Sequence, residues 1–237
     1  MPAGLFSTRV NDAVGLSRSD RDRLRSLRVT ERTLDHREPL SREGEIATQC
    51  AIVHDGFLAS YKIASDREQI IAFHVPGDFP DLQAVYAPVL DRGIISIGPA
   101  RVGLISHSEL KRVISASPNL AGIFWRETII ETTILREWIC NIAARDALAS
   151  ISHLICELAS RLDAVGLVKD DSFHLPLTQQ DLANASGFSV VHVNRTLQEL
   201  RRRRLLSWES RTVTLMDFAE LKRIAEFEPA YLQSRPL

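Results

Sequence analysis

The chain has 237 residues, 45% of them hydrophobic and 25% charged, with a formal net charge of -1 at pH 7. That length sets one or two domains of roughly 100 to 200 residues as the expectation, and the composition is that of an ordinary globular protein. Near-neutral charge gives no whole-chain sign of nucleic-acid or membrane binding, so such a function must rest on local charge. Cys50, Cys140 and Cys156 lack the close spacing of zinc or iron–sulfur ligands, which disfavours a metal cluster and a disulfide framework. They read as buried small apolar residues. Met1 to Asp12 lacks the charged start and apolar core of a secretory signal, and no run of about 18 apolar residues could span a bilayer. A cytoplasmic protein with no membrane partner is expected.

In chain order, residues 17–27, SRSDRDRLRSL, place serines ahead of Leu24 and Leu27 in a charged context and read as a short amphipathic helix. From Thr33 to Ile105, short apolar runs broken by turn residues argue for a compact antiparallel barrel or roll. Asp55-Gly56 is expected to turn the chain between Ala51–Val53 and Phe57–Ala59, and Pro76-Gly77-Asp78 to end the run Ile70–Val75. From Asn119 to Arg145 the pattern predicts one helix roughly 40 Å long, longer than a small roll needs for cover. Ile123, Ile130, Ile134, Trp138 and Ile142 lie near one face, so the helix is expected to form a dimer interface. The expected class is α+β, with an antiparallel β-roll over 1–118, a dimerisation helix over 119–146 and a winged helix-turn-helix over 147–237.

The last segment carries the functional signal. It reads as a helix over Ile151–Val165, an extended piece over Phe173–Leu177, two helices, two short strands and a final helix. Thr178 is a good N-cap with Asp181 three residues on, close to a capping box. Gly187 supplies the backbone freedom for a sharp turn between two helices. Ser189 caps the second, whose Val193, Leu197 and Leu200 face the core. Val190, Val191, His192, Asn194, Arg195 and Gln198 then face outward, as a recognition helix requires. Arginine can bond guanine O6 and N7 together, and asparagine adenine N6 and N7, so Arg195 and Asn194 are the expected base readers. Between Arg195 and Arg211 stand six arginines against Glu199 and Glu209. Thr178, Ser189, Arg202 and Arg211 complete the expected DNA-contacting set, with Arg202 and Arg203 on phosphates.

Over residues 175–217 the sequence LPLTQQDLANASGFSVVHVNRTLQELRRRRLLSWESRTVTLMD resembles the helix-turn-helix and wing of the Crp/Fnr family of bacterial transcription regulators. A weaker resemblance covers nearly the whole chain, through REQIIAFHVPGDF, the long helix and RDALASISHLICELASRL, and implies a cyclic-nucleotide-binding-like roll. It implies a homodimer on inverted-repeat duplex DNA, with RNA polymerase as a further partner. Two departures limit it. Val191 stands where the family's recognition helix usually offers glutamate. After Gly77-Asp78-Phe79 the chain reads Pro80-Asp81-Leu82-Gln83 in place of the ribose-binding Gly-Glu pair, and Arg92 is followed by Gly93 rather than Ser or Thr. No cyclic-AMP site, cofactor or metal is expected, and the effector is left open. The seven histidines are scattered and read as structural, apart from His192 near a phosphate. No phosphate loop or nucleophile elbow points to an enzyme. The competing reading is a small-molecule or cyclic-nucleotide-binding module acting through protein contacts.

Overall fold

The computed structural model describes residues 16–232; the readings made on Met1 to Asp12, and the start of the expected 1–118 domain, lie outside them. The chain divides into two compact units. Among the described residues the first runs to Lys62 and from Ala72 to Thr132; the second takes Ile63–Ile71 and Thr133 to Leu232.

The first unit opens with α1 (Arg18–Arg25), whose N-cap Ser17 accepts from the amide of Asp20 at 3.1 Å. Its sheet is built from β1 (Thr30–Leu34), β2 (Pro39–Ser41), β3 (Gln49–Ala64), β4 (Arg67–His74) and β5 (Gly93–Ser106), in the order β1-β5-β3-β4 with β2 also paired to β5. This is the antiparallel roll that the spacing predicts. Both faces of β3 are covered. Cys50 and Ile52 pack with Phe79, Leu110 and Phe124, while Ala51, Val53 and Leu58 pack with Leu34, Ile94 and Val102. Burial along β3 is therefore nearly continuous instead of alternating, as expected of a strand buried on both sides.

Asp55-Gly56 does not turn the chain. β3 runs straight through it, and the pairing with β5 shifts register around Asp55, which makes the site a β-bulge. Gly56 holds φ at +77°, and a Cβ there would collide with the Pro99 carbonyl and come within 2.8 Å of Ala100 Cα. Pro76-Gly77-Asp78 does end β4, with Gly77 at φ +96° and the Asp78 carboxylate accepting from the Val75 amide at 2.7 Å. After β5 comes a helix that the spacing does not predict, α2 (His107–Ala116), capped by Ser106 through the Glu109 amide at 3.2 Å. The Ser-x-x-Glu spacing of a capping box is its signal in the sequence.

α3 (Pro118–Ala144) is the long helix, one residue offset from its expected bounds. Its second half belongs to the second unit, where α4 (Ala147–Asp163) starts at the N-cap Asp146, four residues ahead of the expected Ile151. The remaining elements are β6 (Ser172–His174), α5 (Gln179–Ser186), α6 (Val190–Arg202), β7 (Leu206–Glu209), β8 (Thr212–Leu215) and α7 (Phe218–Ala225), with sheet order β6-β8-β7. The fold is that of a winged helix.

Two expectations on α3 need correction. Ile134 and Trp138 are buried inside the chain, and the Trp138 indole donates to Glu157 of α4 at 3.1 Å, because α4 covers that side of the helix. Cys140 is exposed, since it falls on the opposite side; Cys50 and Cys156 are buried. Glu157 itself is fully buried and also receives Arg161 Nη1 at 2.9 Å and the Tyr231 hydroxyl at 3.0 Å. Burial pushes its carboxyl above the usual range, while these donors pull it back.

The bulge supplies a stability test. Replacing Gly56 by alanine adds a side chain at positive φ and a steric clash, and should lower the unfolding free energy by about 2 to 4 kcal/mol. Gly44 has φ +81°, and a methyl placed on it would meet nothing within 4 Å, so Gly44→Ala should cost only about 1 kcal/mol. Urea titration of the two variants should separate them; equal losses would show that the close approach to Pro99 carries no weight.

Candidate nucleic-acid interface

The candidate interface comprises α5, α6 and the β7–β8 hairpin. Thr178 and Asp181 close a reciprocal capping box at the start of α5. The Thr178 hydroxyl accepts from the Asp181 amide at 3.1 Å, and the Asp181 carboxylate accepts from the Thr178 amide at 2.8 Å. The shorter aspartate side chain thus does what glutamate does in the usual box. Gly187 ends α5 at φ +75°, in the left-handed conformation, and its amide donates to Ala183 at 2.9 Å. Two residues later Ser189 caps α6 through the His192 amide at 3.2 Å. These caps fix where the second helix starts.

On α6, Val193, Leu197 and Leu200 are buried as the i, i+4, i+7 spacing predicts, and Thr196 is buried beside them with its hydroxyl donating to the His192 carbonyl at 3.0 Å. Ser189, Val190, Val191, His192, Arg195 and Gln198 are exposed together on the opposite side. Among the described residues Arg195 makes no hydrogen bond or ion pair, so its five donors face solvent. His192 lies edge-on against Phe188, with ring centroids 5.1 Å apart. A groove between the start of α4 and α6 is lined by Asp146, Leu148, Val191, His192, Arg195 and Glu199.

Asn194 differs from expectation. It is partly buried; its amide donates to Gln179 Oε1 at 3.0 Å and its carbonyl accepts from Gln198 at 2.9 Å. Both groups that a bidentate adenine contact would need are engaged, and the side chain links α6 to α5. Gln179 is a residue that sequence reasoning misses, because nothing in its spacing marks it as a bridge between helices.

The arginine run is organised by one acid. Glu199 receives Arg202 through two bonds at 2.8 and 2.7 Å and Arg203 at 2.6 Å. Those hydrogen bonds hold its carboxyl down at about 2, against an ordinary 4.5. Its spacing to arginines at i+3 and i+4 is the legible signal. The contribution to stability is in place above pH 4.5 and is lost as pH falls through about 2. The wing turn holds two residues, Ser210 and Arg211, at φ +47° and +65°, between the paired Glu209 and Thr212. That is type I′ geometry, and it puts Arg211, exposed, at the tip. Thr178 is likewise exposed at the head of α5.

The profile of a Crp-like helix-turn-helix domain matches residues 149–224, and that of a cyclic nucleotide-binding domain matches residues 31–117. The chain belongs to the Crp/Fnr family. Its similar proteins include the fumarate and nitrate reduction regulatory protein of Vibrio cholerae, 23% identical over 89% of this chain and 84% of that protein. The nitrogen fixation regulation protein FixK of Bradyrhizobium diazoefficiens is 25% identical over 79% of this chain and 78% of that one. The solved structure of FixK2 from Bradyrhizobium japonicum superposes with a TM-score of 0.76 at 25% identity, covering 84% of this chain and 98% of FixK2. The chain is accordingly a DNA-binding transcription regulator with a helix-turn-helix and a cyclic-nucleotide-binding-like roll. Among the described residues no helix is long and apolar enough to cross a membrane, and no group of three or more His, Cys, Asp and Glu is placed to hold a metal ion.

If Arg202 and Arg203 contact phosphates, as the sequence leads one to expect, Glu199 would compete with DNA for them. Changing Glu199 to Gln should therefore strengthen binding to DNA of any sequence and steepen the dependence of log K on log salt by about 1 to 2, at about 0.9 per phosphate newly neutralised. Anisotropy titrations across a salt series measure this. An unchanged slope would mean that neither arginine reaches a phosphate.

Proposed function

We propose that this regulator works in the cytoplasm as a homodimer that reads an inverted-repeat operator, with Arg195 of each protomer as the main base reader and RNA polymerase as a further partner. The observation that carries the reading is Arg195 itself, exposed on the outward side of a helix capped by Ser189 and without an internal partner among the described residues. Val190 and Val191 beside it can make only apolar contacts, such as to a thymine methyl. Arg211 at the wing tip and the backbone amides at the start of α6 are suited to phosphates. Asn194 acts by fixing α6 against α5 in the free protein.

The dimer reading rests on the outward side of α3. Gly122, Trp125, Ile129, Thr132, Arg136, Ile139 and Ala143 are all exposed and follow one another by alternate steps of three and four. That is the spacing of a coiled-coil seam. Trp125 is 69% exposed and Ile139 67%, which for large apolar side chains on one stripe marks a surface to be covered. A second copy of the same helix supplies the matching stripe. Of the residues that the sequence assigns to the interface, Ile142 borders this seam and is exposed, whereas Ile123 and Ile130 are partly buried.

Replacing Arg195 by alanine should remove a contact of about 1 to 3 kcal/mol in each half-site and relax the base preference at one position, leaving the rest of the selected site unchanged. Selection from randomised duplexes tests it. If the variant chooses the same half-site with the same stringency, Arg195 does not read bases. Ile139→Glu should give a folded monomer by sedimentation, because a like charge is then placed in both halves of the seam. A variant that remains as tight a dimer as the parent would move the interface elsewhere.

A further inference from the structure

Arg92 lies at the start of β5 in the first unit and is 8% exposed. Its guanidinium is almost completely used. Nε donates to Ser60 Oγ at 3.2 Å, Nη1 to Asp91 at 2.9 Å, and Nη2 to the Pro80 carbonyl at 2.7 Å and to Glu131 Oε1 at 2.8 Å. Ser60 Oγ is also 2.8 Å from His74 Nε2. The serine hydroxyl accepts from Arg92 and lies between that guanidinium and the His74 ring. Asp91 is an exposed neighbour, its side chain 72% open to solvent against 21% for Glu131. The buried acid nearby, Asp81, accepts from the Ala51 amide through Oδ1 at 2.8 Å. Glu131 is therefore the sheltered carboxylate that balances Arg92, and it is delivered from α3, 39 residues along the chain.

A sheltered guanidinium, with its fork of donors, is an anion-binding point, and here the anion is part of the protein. The neighbouring position is closed as well. A Cβ on Gly93 would stand 2.5 Å from the Tyr61 ring, so any side chain there requires that ring to move. The first half of α3 is also held by Phe124, whose ring meets Phe79 edge-on at 6.0 Å.

We propose that Glu131 is a tethered counter-anion: its carboxylate fills the Arg92 site that a small diffusible anion would otherwise take, and so pins the first half of α3 to the roll without an effector. The ligand class the site would accept, once Glu131 is shortened, is a small carboxylate or inorganic phosphate. The cost of losing Glu131 is set by the sheltered cation left behind with only the exposed Asp91 carboxylate bonded to it. This inference goes beyond the DNA-binding reading and is tested without DNA.

The test compares the full chain, Glu131→Ala and the double variant Arg92→Met with Glu131→Ala, melted in chloride and in formate buffers of equal ionic strength. Glu131→Ala should melt lower than the parent by on the order of 10 °C in chloride, since one partner of a sheltered pair is gone. Formate should return at least half of that loss. Formate should not move the parent, whose site is filled from within, nor the double variant, which has no cation to pair. Inorganic phosphate and cyclic AMP should likewise leave the melting of the parent unchanged. If Glu131→Ala is not recovered folded, its refolding yield in formate against chloride, beside that of the double variant, gives the same comparison. A Glu131→Ala protein indifferent to formate, an equal formate effect on all three chains, or a parent stabilised by phosphate or cyclic AMP overturns the proposal.

Discussion

A carboxylate with no access to water must find its compensation inside the protein, and the second unit is arranged around meeting that demand at Glu157. Three donors converge on it: the Trp138 indole from α3, the Arg161 guanidinium one turn along α4, and the Tyr231 hydroxyl from the C-terminal turn. Each comes from a different stretch of chain, so the network sets the spacing of all three. The Thr133 hydroxyl adds a bond to the Tyr231 carbonyl at 2.8 Å. Because α5, α6 and α7 all pack on α4, the placement of the recognition helix is inherited from the helix that Glu157 anchors. Removing any one donor leaves the carboxylate short of a partner where no water can replace it.

α3 shows where periodicity stops being informative. Steps of four and seven pick out Ile123, Ile130, Ile134, Trp138 and Ile142, and those residues do share a stripe. The helix is apolar on other sides too, with Trp125, Ile129 and Ile139 on a second stripe. A helix that is apolar all round has more than one surface to bury, and spacing alone does not say which surface meets the chain and which is left outside. α4 decides it by covering Trp138. The expectation of a buried Cys140 fails for the same reason, since the side of α3 on which it falls depends on which stripe turns inward.

The helix-turn-helix is far more legible. Thr178, Asp181, Gly187 and Ser189 fix two helix starts and one turn through bonds between near neighbours, so the local sequence contains the whole instruction. The Asp55-Gly56 pair has the opposite character: a turn and a bulge both need a residue at positive φ, and only the partner strand distinguishes them. Whether β3 turns there or runs on depends on β5, a distant stretch of chain whose Arg101 pairs with Asp55. The bridging role of Asn194 is hidden in the same way, because an outward position on a helix can still be claimed by the helix beside it.

Glu199 bears on how quickly the regulator can find its site. Exposed ion pairs are weak enough to be exchanged for a better partner, so if Arg202 and Arg203 are phosphate contacts the clamp would yield most readily to phosphates held in good register with both arginines. During sliding and hopping over unrelated DNA, where contacts are brief and poorly aligned, the carboxylate would then keep competing for the same donors. A genome offers about 10⁶ to 10⁹ such decoy sites, and the time lost to each scales with how tightly it is gripped. A carboxylate so placed on the helix would shorten every wrong stop, because a protein that grips random DNA less firmly surveys more of it in the same time.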